Sequence, residues 1–414
     1  MNDFNSYIHE ELLKTPFNLF NLLCDYIRVN DNVKIAIVGG YVRDLLIKKI
    51  HKKKFIKPID FDIVIEGSAI SLAKFIKKNI EKVDYCLIKE FELYNTVEIN
   101  INDITIDIAS ARQEIYSAPG LNPIVTDSSI NNDLKRRDFS INAIAYEISS
   151  KQLIDLFSGI DHIKNKELHL LHDDSLKDDP SRLLRCAKYA SRLNFEISQD
   201  SLNQSKKLIK AWPWKFRKNK SGRKFPPGIS IRLLMEISMI NKHDDLSSII
   251  SKLYKWGVIA LINSDIKANK KFLRGIHWIK KLDGKIILYL IKDSKTLDST
   301  SERFLINKKD RKILNDFLNI RELLKTKKKY KNYSPSMWTK FIENKNLDPE
   351  SVKLIISDTN ELWKPFLRWL LIYRFIKSKK NGDNLKEEGW LPGKKLGDEI
   401  RRLRYIEIDN YMKK

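Results

Sequence analysis

One stretch constrains this chain more than any other. Lys34 to Val38 (KIAIV) is an apolar strand that runs into Gly39-Gly40, and a helical segment carrying Arg43 and Asp44 follows. A second strand then brings Asp60 and Asp62, in the run DFDIVIEG. Side chains alternate between the two faces of a strand. Asp60 and Asp62 therefore share one face, and Phe61, Ile63 and Ile65 are committed to the other. A strand, glycine turn, helix and strand in such close succession demand a sheet with a helix laid on its apolar side.

The rest of the chain extends this start. Residues 1–30 read as one amphipathic helix, with Leu12, Leu13, Phe17, Phe20, Leu22 and Leu23 on its apolar face. A helix is expected from Val42 to Ile47, and another from Ser68 to Ile80 with Ser68 as its cap. Residues 84–89, 95–101 and 104–109 read as three further strands, the last two joined by a turn at Asn102-Asp103. Strands clustered early with helices between them predict an α/β or α+β head of roughly 150 residues. From about Asp173 onward nearly every periodic segment is helical. Breaks fall from Trp212-Pro213-Trp214 through Pro226-Pro227, at Lys325 to Tyr333, and at Lys377 to Asn384. No internal repeat is visible.

Charge narrows the partners. Lys and Arg number 77 against 53 Asp and Glu, a net charge of +24. That favours a polyanion, RNA or DNA before a membrane surface, although a coding bias towards Lys, Ile and Asn accounts for part of it. The three cysteines, Cys24, Cys86 and Cys186, show neither CxxC spacing nor histidine-rich surroundings. A reducing compartment fits, with no zinc site or disulfide framework. The first residues lack the basic-then-apolar order of a signal peptide. No apolar run reaches the ~18 residues of a membrane span. A cytoplasmic protein is expected.

Two neighbouring carboxylates repel unless a divalent cation neutralises them. Hard oxygen ligands that leave positions open for phosphate suit Mg²⁺. Asp107, in ITIDIA with Ile106 and Ile108 on the opposite side, is a candidate third carboxylate. Such a set could activate a hydroxyl nucleophile and stabilise a leaving pyrophosphate. A merely solvated strand face shows the same D-x-D pattern. Gly39-Gly40 lets backbone approach a phosphate, with N–H donors at the start of the next helix and Arg43 one turn on. A plain strand-to-helix turn reads alike. Dinucleotide binding is the sharper competitor, because Asp60 lies about 20 residues downstream. It is rejected: there are only two glycines, and Asp44 stands where the third belongs.

Four motifs now run together: GGYVRD with DFD, DLKRRDFSINAIA (Asp133 to Ala145), and DDPSRLLR (Asp178 to Arg185). In this order, from about residue 34 to 195, the chain resembles the class II tRNA nucleotidyltransferase and bacterial poly(A) polymerase family. The resemblance implies an α+β nucleotidyltransferase head, a mixed sheet with flanking helices, followed by an all-α neck, body and tail. The expected divisions are residues 1–160, 161–240 and 241–414. It implies that Gly40 and Arg43 contact the phosphates and ribose of an incoming nucleotide, and that Asp60 and Asp62 hold Mg²⁺. It makes Arg137 a nucleotide contact, with Asp138 and Asn142 positioning the sugar or the motif itself.

DDPSRLLRCAKYASRL reads as one helix, with Leu183, Leu184, Ala187 and Ala190 apolar and Asp179, Arg182 and Arg185 at i, i+3 spacing on one face. In the family this face is a protein template for the base. A carboxylate accepts from the exocyclic amine of C or A, and a guanidinium donates to ring acceptors. An intrahelical Asp179–Arg182 ion pair is the bland reading. The chain departs from the family in having Asp178 for glutamate, and Lys188 for an arginine, which loses a bidentate fork. GISIRLLMEI keeps Ser230, Arg232 and Glu236 of a further family segment but has Ile231 for its glutamate. The preceding AWPWKFRKNKSGRKFPP looks like an insertion, suited to stacking on RNA or equally to a pinned surface loop.

ARQEIYSAPGLNP resembles the branch with R-x-E-x-Y-x-x-P-G-x-x-P, in which Arg112, Glu114 and Tyr116 begin a loop that moves as the pocket changes base. That branch includes enzymes adding only A or only CC. The function implied is addition of C and/or A from CTP and ATP to the 3′ end of tRNA. A poly(A) polymerase acting on RNA 3′ ends is the alternative, and a non-catalytic RNA-binding module the third reading. Asp161-His162 and His172-Asp173 lack the partner histidines of a metal phosphohydrolase.

Overall fold

Lys34–Val38 forms the strand β1, its last four residues buried, and the sheet of the first unit grows outward from it. The computed structural model describes residues 2–52, 60–80, 86–92, 95–212, 226–242, 245–325, 330 and 332–411. The further strands are β2 (Asp60–Glu66), β3 (Cys86–Phe91), β4 (Thr96–Ile101), β5 (Ile104–Ser110), β6 (Arg112–Ile115), β7 (Ile124–Asp127), β8 (Ile144–Glu147) and β9 (Gln152–Asp155). Seven of them make one sheet in the order β3-β4-β5-β2-β1-β8-β9, and β6 with β7 is a separate hairpin. Within the described part of the large sheet β2 and β5 run parallel, and the other neighbours are antiparallel.

The helices of this unit include α1 (Asn2–Leu12), α2 (Leu19–Arg28), α3 (Gly40–His51), α4 (Ala69–Asn79), α5 (Ile130–Lys135), α6 (Gly159–Asn165), α7 (Ser175–Asp178) and α8 (Arg182–Leu193). Alternation divides the strands as expected. Ile35, Ile37, Ile63, Ile65, Ile106 and Ile108 are buried, and α3 and α4 pack on the sheet. The other face is covered only in part. Ala36, Val38 and Val64 meet Ile130 and Leu134 of α5 in a small apolar cluster, so α5 sits on the same face as the aspartates. Glu66 Oε1 accepts from the Ile130 N–H at 2.7 Å, fixing the start of α5. Ser68 caps α4 as expected.

Two expectations are corrected. Residues 1–30 are two helices, because Pro16 opens a short turn in which Phe17 and Asn18 have φ of 57° and 55°. Thr15 Oγ1 donates to the Leu12 carbonyl and accepts from Phe20 N–H, closing one helix and starting the next. DDPSRLLR is likewise not one helix. Asp179 is extended (φ −146°, ψ 98°), and α8 begins only at Arg182, after Pro180. The strands β6 to β9 escaped the sequence reading; at four residues each they carry too little alternation. Residues 84–85 and 213–225, the latter most of the basic aromatic stretch, lie outside the described residues.

The chain divides into two compact units, Met1–Ile229 and Ser230–Lys414. The second is built of helices. Glu343 takes both guanidinium nitrogens of Arg404 at 2.8 Å, tying the last helix (Lys394–Tyr411) to Pro335–Asn344. Ser230 donates to the Arg303 carbonyl. Lys292 is buried in an ion pair with Asp358 at 2.8 Å. No helix among the described residues is long and apolar enough to cross a membrane.

Candidate active site

Gly39 makes the turn between β1 and α3 with φ 69° and ψ −128°, a conformation that favours glycine. Space is tight as well. A Cβ there would lie 2.8 Å from Asp62 Oδ2 and 3.2 Å from Arg137 Nη1. One turn thus has a metal-type carboxylate and a guanidinium on its surface, and α3 starts at Gly40 directly behind it.

The carboxylates form a row. Asp62 is opposite Asp107 in the parallel β2–β5 ladder, and Asp107 is opposite Glu98 across β4–β5. Glu98, which the sequence reading passed over, is ion-paired with Lys89 at 2.7 Å and accepts from Asn100 Nδ2 at 2.7 Å. Among the described residues no hydrogen bond or ion pair engages the side chain of Asp60, Asp62 or Asp107. Burial, and then the charges of Asp62, Glu98 and Asp60, push the Asp107 carboxyl up to about 6. Burial followed by Asp62 raises Asp60, against a lowering pull from Arg192. Such unneutralised repulsion is what a divalent cation relieves. No three acidic, histidine or cysteine side chains among the described residues converge to hold a metal alone. The set fits two carboxylate ligands, Asp60 and Asp62, with the remaining positions open.

α5 delivers the cations. Asp133 is fully buried. It accepts from Arg136 Nε at 2.9 Å and from Arg137 Nη2 at 3.2 Å. Arg137 Nη1 also reaches the Asn142 carbonyl at 3.5 Å, while its Nε is buried without a partner among the described residues. An oriented guanidinium with an unused buried N–H, beside an open carboxylate row, is suited to receive an anion.

A buried polar chain backs this surface. Arg43, 2% exposed, donates to Asp44 at 2.7 Å and to Asn142 Oδ1 at 2.6 Å. Its Nη2 lies 3.6 Å from the place of a Cβ at Gly40. Asn142 donates to Asp138 Oδ1 at 3.0 Å, and Arg185 donates to Asp138 Oδ2 at 3.0 Å. Burial works against the Asp138 charge, but Arg185 and Asn142 outweigh it and hold the carboxyl below its usual range. Arg43 and Arg192 both lie over the Tyr189 ring, at 5.2 and 5.5 Å. Tyr189 and Arg192 stand within DDPSRLLRCAKYASRL, but sequence reasoning assigned them no role, because their contact with Arg43 depends on the packing of α8 against α3.

The structure brings Gly39, Gly40, Arg43, Asp60, Asp62, Asp107, Arg137, Asp138, Asn142 and Arg185 into one region of the first unit. It separates Asp179 from the helical face that was to carry it. Asp179 Oδ1 takes the Ser181 backbone N–H at 3.0 Å and its hydroxyl at 2.7 Å. Arg182 donates to Ser175 at 2.5 Å and to the Arg136 carbonyl at 2.9 Å. Both are buried.

Residues 35–169, from β1 past Asn142, match the family model of the poly A polymerase head domain. Over 404 residues the chain is 30% identical to the A-adding tRNA nucleotidyltransferase of Aquifex aeolicus, across 90% of this chain and 44% of that protein. It is 32% identical over 186 residues to the CC-adding tRNA nucleotidyltransferase of Deinococcus radiodurans, across 43% of this chain and 46% of that one. The chain thus spans less than half the length of these relatives. An apo form of a CCA-adding enzyme has a TM-score of 0.73 at 22% identity, covering 97% of this chain and 94% of the other. The Thermotoga maritima CCA-adding enzyme complexed with tRNA has a TM-score of 0.68 at 20% identity, with coverage of 97% and 94%. That likeness is one of fold: a mixed-sheet head followed by helices. The head domain includes the carboxylate row and α5, whereas Asp179, Arg182 and Arg185 lie beyond the matched residues.

Proposed function

We propose that this chain is a tRNA nucleotidyltransferase that adds C and/or A, from CTP and ATP, to the 3′ end of tRNA with release of pyrophosphate. The observation that carries the reading is the unneutralised row of Asp60, Asp62 and Asp107 beside the Gly39 turn, with Arg137 aimed across it. The names of the relatives, A-adding and CC-adding tRNA nucleotidyltransferases, support the substrate class. Asp60 and Asp62 would hold Mg²⁺, which when bound supplies charge neutralisation and activation of the attacking hydroxyl.

The chain's own residues do the rest. The Gly39-Gly40 turn lets the triphosphate approach the backbone, and Arg137 donates to its oxygens. Arg43 and Asn142 keep the turn rigid from behind, and Asp138 orients Asn142 and Arg185. Asp107 adds negative charge on the primer side, favouring deprotonation of a 3′-hydroxyl only where a cation balances it. Asp179 and Arg182 would read the base edge by exchanging their Ser181 and Ser175 partners for the amine and ring nitrogen of C or A. The basic surface, at a net +24 for the chain, suits phosphate contacts along the acceptor arm. A cytoplasmic location accords with tRNA as substrate.

Primer extension tests this. tRNA ending before CCA, tRNA ending in CC, and unstructured RNA would each be offered with CTP, ATP or both. Incorporation confined to the tRNAs is expected, and the pattern of C and A reads which bases are added. Processive A addition to unstructured RNA would replace this reading with a poly(A) polymerase.

A further inference from the structure

A line of ion pairs leads from the β6–β7 hairpin to the glycine turn. In the hairpin, Glu114 Oε1 accepts from Arg112 at 3.0 Å and Glu114 Oε2 from the Tyr116 hydroxyl at 2.9 Å. Glu114 Oε1 also takes Arg136 Nη1 at 3.0 Å. Arg136 reaches Asp133 Oδ1 through Nε at 2.9 Å and through Nη2 at 2.5 Å. The other oxygen of Asp133 takes Arg137 Nη2 at 3.2 Å. Arg137 Nη1 then stands 3.2 Å from the place of a Gly39 Cβ, which is itself 2.8 Å from Asp62 Oδ2.

A single buried carboxylate holds two guanidinium groups, one facing the hairpin and one facing the carboxylate row. The Arg136 side is the tighter, with two contacts against one. Charge is also unbalanced along the line. Three arginines (Arg112, Arg136, Arg137) stand along the line with two carboxylates (Glu114, Asp133), and the buried Nε of Arg137, at the end facing the carboxylate row, has no hydrogen-bond partner among the described residues. Buried charges are held strongly by their partners and shift when a partner moves. If the hairpin draws Arg136 away, Asp133 can close on Arg137. If it presses Arg136 in, the hold on Arg137 loosens.

We propose that Asp133 is a positioning residue that couples the β6–β7 hairpin to the reacting centre. Through Arg136 it passes the position of Glu114 to Arg137, and so sets how Arg137 faces Asp62 and the triphosphate. This rests on the nucleotidyltransferase reading.

The test is a double-mutant cycle on Glu114→Gln and Asp133→Asn. Nucleotide incorporation at saturating RNA, ATP binding by calorimetry, and thermal unfolding are measured on the full chain. Glu114→Gln should lower kcat about 10-fold with KM for RNA changed less than ~2-fold, and the same change in the Asp133→Asn background should cost under ~2-fold. Asp133→Glu should recover part of the loss, because it keeps the charge. Losses that multiply would overturn the coupling, since two independent structural buttresses behave that way. Should Asp133→Asn fail to fold, Arg136→Lys takes its place, because it keeps the cation and loses the fork. If the unmodified chain extends no RNA, the functional reading fails. The cycle is then read in ATP binding alone, where non-additive weakening supports the relay and additive weakening sinks it.

Discussion

Asp62 and Asp107 face one another across the parallel pairing of β2 and β5, 45 positions apart in sequence, with no cation of the described chain on either. Their repulsion is a standing cost of the fold. Removing one carboxylate should therefore not weaken folding. Asp62→Ala is expected to keep or raise the thermal midpoint, while incorporation falls by about 10³-fold or more. Asp60→Ala should also abolish incorporation, and RNA binding should persist in both variants. Retained turnover in both would refute the metal assignment.

Gly39→Ala should be severe for two separable reasons. The backbone at φ 69° disfavours an L side chain, at roughly 1–2 kcal/mol. The new Cβ would also press on Asp62 Oδ2 at 2.8 Å and on Arg137 Nη1 at 3.2 Å. Denaturant unfolding reads the first effect. A drop in incorporation larger than that destabilisation explains would read the second.

Arg43 depends on Asn142. Asn142→Ala would strip one acceptor, the Nη1 partner, from a guanidinium that is 2% exposed and would leave Asp138 without one of its donors. A loss of roughly 1–3 kcal/mol in unfolding free energy is expected. Asn142→Asp should lose less, because it restores an acceptor for Arg43 while placing a second charge beside Asp138. Equal losses in the two variants would contradict the network.

The His162 and His169 rings are stacked at 3.6 Å, and His162 Nδ1 meets the Ser140 hydroxyl at 2.8 Å. Burial first, and then the His169 charge, hold His162 below the usual imidazole range. The folded state therefore takes up its proton later than the unfolded chain, whose value is about 6.5. Stability is full above that pH and declines as pH falls below it towards the lowered value. Thermal midpoints should drop on acidification, and His162→Gln should make the slope shallower. It will not flatten it, because His172 is also lowered by burial and by Arg182. An unchanged slope would count against the stacked pair as a source of the effect.

Base choice can be separated from bond formation. Asp179→Ala is expected to relax discrimination between ATP or CTP and UTP or GTP by about 10-fold, before it affects extension with the correct nucleotide. Misincorporation assays against each triphosphate would read this directly. Unchanged selectivity would remove Asp179 from base recognition.

The sequence by itself determined the two faces of β1, β2 and β5. Alternation in KIAIV, DFDIVIEG and ITIDIA decides which side chains are buried, since a one-residue slip would expose every isoleucine. The Asp60-x-Asp62 pair and the glycine turn are legible for the same local reason, that each is written in contiguous residues. Tertiary structure decided what those residues touch. Asp179 looked like a partner of Arg182 on one helix, but Pro180 ends that possibility and gives Asp179 to Ser181. Arg43 looked like an open phosphate ligand, yet it is largely engaged by Asp44 and Asn142, the latter 99 positions away. Glu98 and Tyr189 carry no local signal, and they enter the site because β4 pairs with β5 and α8 packs behind the turn. Periodicity reports burial within one element. Long-range pairing between elements is set by the packing of their apolar faces, and it alone chooses the partner of each charged group.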